Sequence, residues 1–341
     1  MAAAAEKGSV AVAFVIKAVA ALRRRGVDEL PILRAVGIQP HLLGSEHSRV
    51  QAAQYSALWL AVASALDDEF FGLDSRRMKV GSFATLCRLC VHAGTLREAL
   101  GRAIGFFNLL LDDTQLELEQ QGDTVRIAIT HPTHRALPDQ VFAHETLLIL
   151  LHGVLCWLVG RRLMIREAQF GYTRPQWWRE YLAMYSTDLR FAQAQTAICI
   201  DAAYLDVPVK QNEKTAREFL RRAPYNIILK YKDERSWALR IRRRLRNTAP
   251  ESWPNFEQLA GELKLASSTL HRKLEAEGES FQRIKDELRR DMAIHLLAEG
   301  EDSVADIAAA LGFAETSAFH RAFKQWTGVS PGDYRRVPKR R

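Results

Sequence analysis

The sequence predicts an α+β N-terminal domain followed by an all-α domain with two helix-turn-helix units joined by a linker helix. Three observations lead there. One helical pattern occurs twice near the C-terminus, over Asn255–Ile284 and again over Ser303–Arg336. In mid-chain, Thr114–Glu119 and Thr124–Thr130 alternate with period two around Gln121-Gly122-Asp123, which reads as a hairpin. The 341 residues suit two domains at roughly 100–200 residues each. We place the first domain at 1–222, a linker with a basic helix at 223–252, and the doubled helical domain at 253–338.

The elements follow in order. The start, MAAAAEKGSVAVAFVIKAVAALRRRG, has the look of a signal peptide, but Lys17 interrupts its apolar run and Arg23–Arg25 follow that run instead of preceding it. An amphipathic helix with Val12, Val15, Ile16, Val19 and Leu22 inward is the better reading. Helices broken by Gly and Pro follow at Leu30–Val36, Val50–Leu66, Ser82–His92 and Thr95–Leu110. Beyond the hairpin come a long apolar helix at Pro138–Leu158 and strands at Glu167–Tyr172 and Thr196–Asp201. The boundary lies near Arg221–Pro224. After it, Tyr231–Arg246 forms a basic helix with Trp237, Leu239 and Leu245 on one side and Arg240, Arg242, Arg243, Arg244 and Arg246 to spare. We expect this helix to gate the C-terminal pair.

In the second repeat, Ser303 and Asp306 have capping-box spacing. Ile307, Ala308 and Leu311 bury one face, Gly312 ends the helix in a left-handed residue, and Phe313 plugs the turn. The next helix buries Phe319, Phe323 and Trp326 and shows Thr316, Ser317, His320, Arg321 and Lys324. Small polar residues at a helix start, with Arg one turn later, fit a helix that enters a major groove. Ser330, Pro331 and Tyr334 begin a closing helix. The first repeat has the same layout: Phe256, Leu259, Ala260 and Leu263 are buried, Leu265 stands for Phe313, and Leu270 and Leu274 anchor a helix showing Ser267, Ser268, His271, Arg272 and Lys273. Between them, Phe281–Leu297 puts Phe281, Ile284, Leu288, Met292 and His295/Leu296 on one stripe. At 1.5 Å per residue this is a rod of roughly 25 Å, able to hold two such helices about one DNA turn (~34 Å) apart.

Gly312-Phe313, the run Ser317–Lys324, Thr327–Pro331 and Tyr334-Arg335 strongly resemble the AraC family of bacterial transcription regulators, with a weaker match at Ser268–Leu274. The resemblance implies that Ser268, His271, Arg272, Thr316, Ser317 and Arg321 point into the groove. Ala266 departs from it, standing where a Ser often caps the first recognition helix, so Ser267 is left to cap. Upstream, Cys87–Leu100, Leu189–Phe191, Leu205–Pro208 and Leu220–Pro224 resemble the ornithine-utilisation and virulence regulators of that family, whose "arabinose-binding-like" N-terminal domains bind a small effector, dimerise, or both.

Composition agrees with this picture. Net charge is +8, with half of it from Lys232 onward, which suits a polyanion. The four cysteines are too scattered for a disulfide framework, and no charge-free apolar run reaches membrane-spanning length. Cys87 and Cys90 read as two buried helix residues, His131 and His134 as solvated turn residues, and Trp177 and Trp178 as packing. No catalytic constellation, metal site or cofactor motif stands out, and no ligand-binding residue can be named. Expected partners are operator DNA, a small effector, a second copy of the chain joined through residues before 222, and RNA polymerase. The expected setting is the cytoplasm, the expected role an activator. A domain that dimerises without an effector is the alternative. A DNA-repair alkyltransferase is a remote one, because it needs four clustered metal-ligating cysteines.

Overall fold

The computed structural model describes residues 8–44, 48–228, 237–276, 279–299 and 302–335. Tyr231–Ser236 and Arg336, which carried part of the sequence reading, lie outside the described residues, as does the side chain of Leu239. The chain divides into two compact units. One comprises residues 14–36 and 56–231; the other comprises 1–13, 37–55 and 232–341. Compactness is therefore not contiguous in sequence as the 1–222 domain supposed: two N-terminal stretches belong with the C-terminal residues.

The shared elements come first in the chain. Strand β1 (Ser9–Ala11) runs into α1 (Val12–Arg24), then α2 (Glu29–Ala35); β2 (Arg49–Gln51) runs into α3 (Ala52–Leu66). Val12, Val15, Val19 and Leu22 of α1 are buried as the periodicity predicts, with Ile16 only half-buried. Neither three-residue strand was expected. They pair with each other, Val10 opposite Val50, in a ribbon of the C-terminal unit.

The larger unit continues with α4 (Ser82–Cys90), α5 (Leu96–Leu110), β3 (Gln115–Gln121), β4 (Thr124–Thr130), α6 (Gln140–Val159), β5 (Ile165–Gln169), α7 (Arg179–Met184), β6 (Leu189–Arg190), β7 (Thr196–Asp201), α8 (Glu213–Leu220) and α9 (Tyr225–Ile228). Its sheet has the order β3-β4-β7-β5-β6, antiparallel except for β5 against β6. The hairpin forms with Gln121 opposite Thr124, so only Gly122 and Asp123 make the turn, and Gly122 takes the positive φ (59°) that such turns need. Helix α6 is buried almost throughout, which explains why it is apolar on every side. It is long and apolar enough to span a bilayer, yet 83% of its apolar window is packed inside this unit.

The C-terminal unit adds α10 (Trp237–Arg246), α11 (Phe256–Glu262), α12 (Ser267–Ala276), α13 (Phe281–Glu299), α14 (Val304–Ala310), α15 (Thr316–Thr327) and α16 (Pro331–Arg335). Here α10 is not a connector. Its Ala238, Ile241 and Leu245 share one core with Leu259, Ala260, Leu270, Leu274, Ile284 and Leu288. The Trp253 indole donates to the Leu245 carbonyl at 2.8 Å, tying α10 to the segment before α11. On α13 the buried stripe follows the expected Ile284 and Leu288, then passes to Ala293, Ile294 and Leu297 instead of Met292 and His295/Leu296. The second half of that helix is packed by β2, α14 and α16 as well as by α15.

Candidate nucleic-acid interface and effector pocket

The two repeats fold alike down to single backbone bonds. Leu263 N–H donates to Leu259 O, Lys264 to Gly261 O and Leu265 to Ala260 O. Leu311, Gly312 and Phe313 donate in the same way to Ile307, Ala309 and Ala308. Both first helices start in capping boxes, Asn255 with Gln258 and Ser303 with Asp306; only the second was legible beforehand. The repeats differ at the left-handed turn residue, Gly312 (φ 73°) in one and Lys264 (φ 56°) in the other. A Cβ on Gly312 would meet Glu251 N at 3.1 Å and the Pro250 carbonyl at 3.2 Å, because this turn rests on the segment before α11.

A matched pair of substitutions follows. The left-handed region costs a side-chain-bearing residue about 1–2 kcal/mol, and exposed Lys264 has nothing to lose by truncation. Lys264→Gly is expected to stabilise the unit by up to about 1 kcal/mol. Gly312→Lys should destabilise it by roughly 2 kcal/mol or more, since backbone must shift as well. Chemical denaturation of both variants checks the opposite signs.

Helices α12 and α15 show solvent the same residue types in the same register. Ser268, His271 and Arg272 are exposed, as are Ser317, His320 and Arg321, while Ser267 and Thr316 at the first position are half-buried. Leu270 and Phe319, then Leu274 and Phe323, fix those faces by filling the cores. The Ala266 carbonyl accepts from Leu270 N–H, so the cap position of α12 is Ala266 and Ser267 is already helical. His271 Nδ1 lies 3.4 Å from Glu275, and Ser317 donates to Glu315 at 2.9 Å.

Lys324 is exposed and belongs to the α15 face, but Lys273 does not belong to its equivalent. In register it matches Ala322; it is half-buried, with its ammonium 5.0 Å from the centre of the Trp237 ring on α10. Arginines of α10 are also engaged. Arg242 bridges Glu279 at 3.0 Å and Glu287 at 2.6 Å, and Arg244 holds Glu262 with two nitrogens at 2.8 and 3.0 Å. Burial would lower the Arg242 pKa, but Glu279 and Glu287 outweigh it and raise it. Sequence reading missed Arg289 on α13. Its guanidinium lies 5.2 Å from the Trp253 ring and 5.5 Å from the Phe313 ring, and its Nε donates to the Leu311 carbonyl, so one residue joins both repeats.

The larger unit holds a pocket of about 410 Å³ lined by Gln115, Glu117, His131, Gln140, His144 and Thr196 among others. His131 is half-buried and hydrogen-bonded, where the sequence reading had it solvated, and His134 is exposed. A hydrogen-bond relay fixes both imidazoles of the pair. The Asp113 carbonyl can only accept, so His131 Nδ1 carries a proton toward it at 2.9 Å. His131 Nε2 then accepts from His144 Nε2 at 2.9 Å, and His144 Nδ1 accepts from the Thr196 hydroxyl at 2.8 Å. Thr196 in turn receives Gly171 N–H at 3.0 Å. Burial, then His131, pushes His144 down to about 3, which keeps it neutral. Among the described residues no group of three or more His, Cys, Asp or Glu is spaced for a metal ion.

Next to His144, Glu145 is buried. Its Oε1 accepts from Trp177 Nε1 at 2.6 Å and from the Tyr181 hydroxyl, and among the described residues its Oε2 meets no hydrogen-bond partner. Burial raises its pKa to about 7, against the pull of the Trp177 and Tyr181 bonds and of Lys17, and with a push from Asp139. A carboxyl raised in this way favours the folded state when protonated. Its contribution is present below the ordinary Glu range and is lost as pH rises through about 7. We expect melting of the larger unit to shift down between pH 5 and 8, and Glu145→Gln to flatten that dependence; an unchanged slope would assign it to other groups. Cys87 and Cys90 are buried thiols, and burial pushes both up, Cys90 to about 12.

Known families and proteins match both ends of the chain. Residues 26–209 match the arabinose-binding N-terminal domain of AraC transcription regulators, and residues 259–337 match a helix-turn-helix domain. The ornithine utilization regulator of Pseudomonas aeruginosa is 26% identical over 316 residues, covering 92% of each chain. The transcriptional regulator VirS of Mycobacterium tuberculosis is 24% identical over 318 residues, again 92% of each. The crystal structure of the regulator CdpR from Pseudomonas aeruginosa aligns over 95% of this chain and 98% of its own at 22% identity, with a TM-score of 0.33. With residues 26–209 matched to the family's N-terminal domain and residues 259–337 to a helix-turn-helix domain, the chain belongs to the AraC family and is a DNA-binding transcription regulator.

Proposed function

We propose that this regulator reads two successive major-groove segments with α12 and α15, in response to a small effector held by its larger unit. The observation that carries the reading is the repeated geometry: the same three backbone bonds end each first helix, and each second helix presents Ser, His and Arg at equivalent exposed positions. The proposed base and phosphate contacts are Ser268, His271, Arg272, Thr316, Ser317, His320, Arg321 and Lys324, with Ser267 near the backbone and Lys273 in reserve against Trp237. The pocket around His131 and His144 is the proposed effector site. Its polar lining, with Gln115, Glu117 and Gln140 beside the two imidazoles, suits a small polar molecule, and the ornithine utilization regulator is a full-length relative whose name points the same way. The working form is a cytoplasmic homodimer that acts with RNA polymerase and catalyses no reaction.

The test has two arms. Duplexes selected by the full-length protein from a random pool should contain two conserved segments about one helical turn apart. A thermal-shift screen against small metabolites should find a ligand that raises the melting temperature of the wild type, with the shift reduced in Thr196→Val. A single conserved segment would sink the two-head reading, and a screen without any shift would favour a domain that only dimerises.

A further inference from the structure

The ribbon of β1 and β2 touches both ends of the apparatus that holds α15. On one side, Ser9 Oγ donates to Asp291 Oδ1 of α13 at 2.7 Å, while Arg49 donates from Nε to Ser9 Oγ at 2.8 Å and from Nη2 to Ser9 O at 3.0 Å. Gln51 Nε2 lies 3.4 Å from His295 Nδ1, one turn further along α13. On the other side, the Tyr334 hydroxyl of α16 donates to the Arg49 carbonyl at 2.5 Å. The Tyr334 ring then stands edge-on to Phe323 of α15, with centroids 5.5 Å apart. Val50, Arg49 and Tyr334 are all buried, and burial raises the Tyr334 pKa, so its hydroxyl remains a neutral donor.

Apolar packing alone lets helices slide by a fraction of a turn at little cost. Buried hydrogen bonds do not, because a displaced donor finds no water to replace its partner. The ribbon ties α13, the rod between the two reading heads, to the closing helix behind the second head. The first head needs no such tie, since α10 and its ion pairs already clasp it to α13.

We infer that the β1–β2 ribbon is a brace that sets the attitude of α15 on α13, making Ser9, Asp291 and Tyr334 positioning residues for DNA reading. None of them has to touch DNA. The inference rests on the two-head reading above. It assigns a task to N-terminal residues that neither the 26–209 nor the 259–337 family match includes, Ser9 above all.

The experiment uses the full chain and duplexes that the wild type itself selects. Affinity is measured for the selected duplex, for versions with one or two base pairs inserted between the segments, and for versions with either segment scrambled. Tyr334→Phe keeps the ring and removes the bond to Arg49, Ser9→Ala removes the bond to Asp291, and Asp291→Asn keeps an acceptor for Ser9. Tyr334→Phe and Ser9→Ala are expected to lose at least about 5-fold of the preference for native spacing, the lower end of ordinary coupling between sites. Their affinity for duplexes with one intact segment should stay within about twofold of wild type, and Asp291→Asn should behave as wild type. A wild-type spacing preference in Tyr334→Phe and Ser9→Ala overturns the brace, and so does a parallel loss on all duplexes together with lowered helicity, which marks a folding role. If the wild type selects only one segment, the two-head reading fails before any variant is made.

Discussion

A fragment beginning at Asn247 is expected not to fold cooperatively, although it contains both helix-turn-helix repeats. Removing α10 takes Ala238, Ile241 and Leu245 out of the first core. Full burial of an Ile or Leu is worth about 1.5–3 kcal/mol each. Glu279 and Glu287 also lose Arg242; stripping one partner costs about 3–5 kcal/mol in a fully buried ion pair, and less in this part-buried one. Losses of this size rival the ~5–15 kcal/mol that hold a typical domain together. A fragment beginning at Lys232 restores both terms and should melt cooperatively by circular dichroism. A sharp melt of the shorter fragment within a few degrees of the longer one would show that α10 is an appendage. Acid offers a second view of the same clamp. Burial would raise the Glu287 pKa, but Arg242, Arg290 and Arg283 hold it below the usual range. Its stabilisation is therefore complete above the ordinary Glu range and fades as pH falls through the depressed value. In Arg242→Ala the deficit relative to wild type should shrink over that same acidic window.

The second repeat was legible because its signals are local. Ser303 and Asp306 are one turn apart, Gly312 takes the left-handed turn, and Phe319 and Phe323 sit on one helical face, so a short window of sequence contains each cause with its effect. The ribbon could not be read in that way. Ser9–Ala11 and Arg49–Gln51 are three residues each, their pairing is non-local, and Val10 and Val50 look like the first apolar residues of the helices that follow. Lys273 was misplaced for a related reason. Its partner, Trp237, lies on a helix read as a gate between the domains, and only the packing of α10 into the first core reveals what draws the ammonium inward. In the larger unit, His131 finds its partner on α6, where His144 and Glu145 are embedded in an apolar run that reads simply as core. Polar residues in such a run register as interruptions, and which oxygen or nitrogen they meet depends on the sheet laid against them.

Arg321→Ala is expected to abolish sequence preference at one of the two DNA segments and leave the fold intact. Arg321 is exposed, has no ion-pair partner among the described residues, and lies one turn into α15 beside Ser317 and His320. The core of the repeat is filled by Phe319 and Phe323 on the opposite side, so truncation opens no cavity. A guanidinium that forks onto a guanine discriminates against other bases by about 1–3 kcal/mol, or roughly 5–150-fold. Lys324→Ala supplies the contrast. As a phosphate contact it should weaken all duplexes alike and reduce the dependence of affinity on salt by about one ion. Binding of the selected duplex and of a copy scrambled in one segment, each measured across a salt series, separates the two behaviours. Arg321→Ala should collapse the ratio between them at the segment read by α15, and Arg272→Ala should do so at the other. If the ratio survives in Arg321→Ala while the salt slope falls, this arginine holds the backbone, and base reading passes to Ser317 and His320.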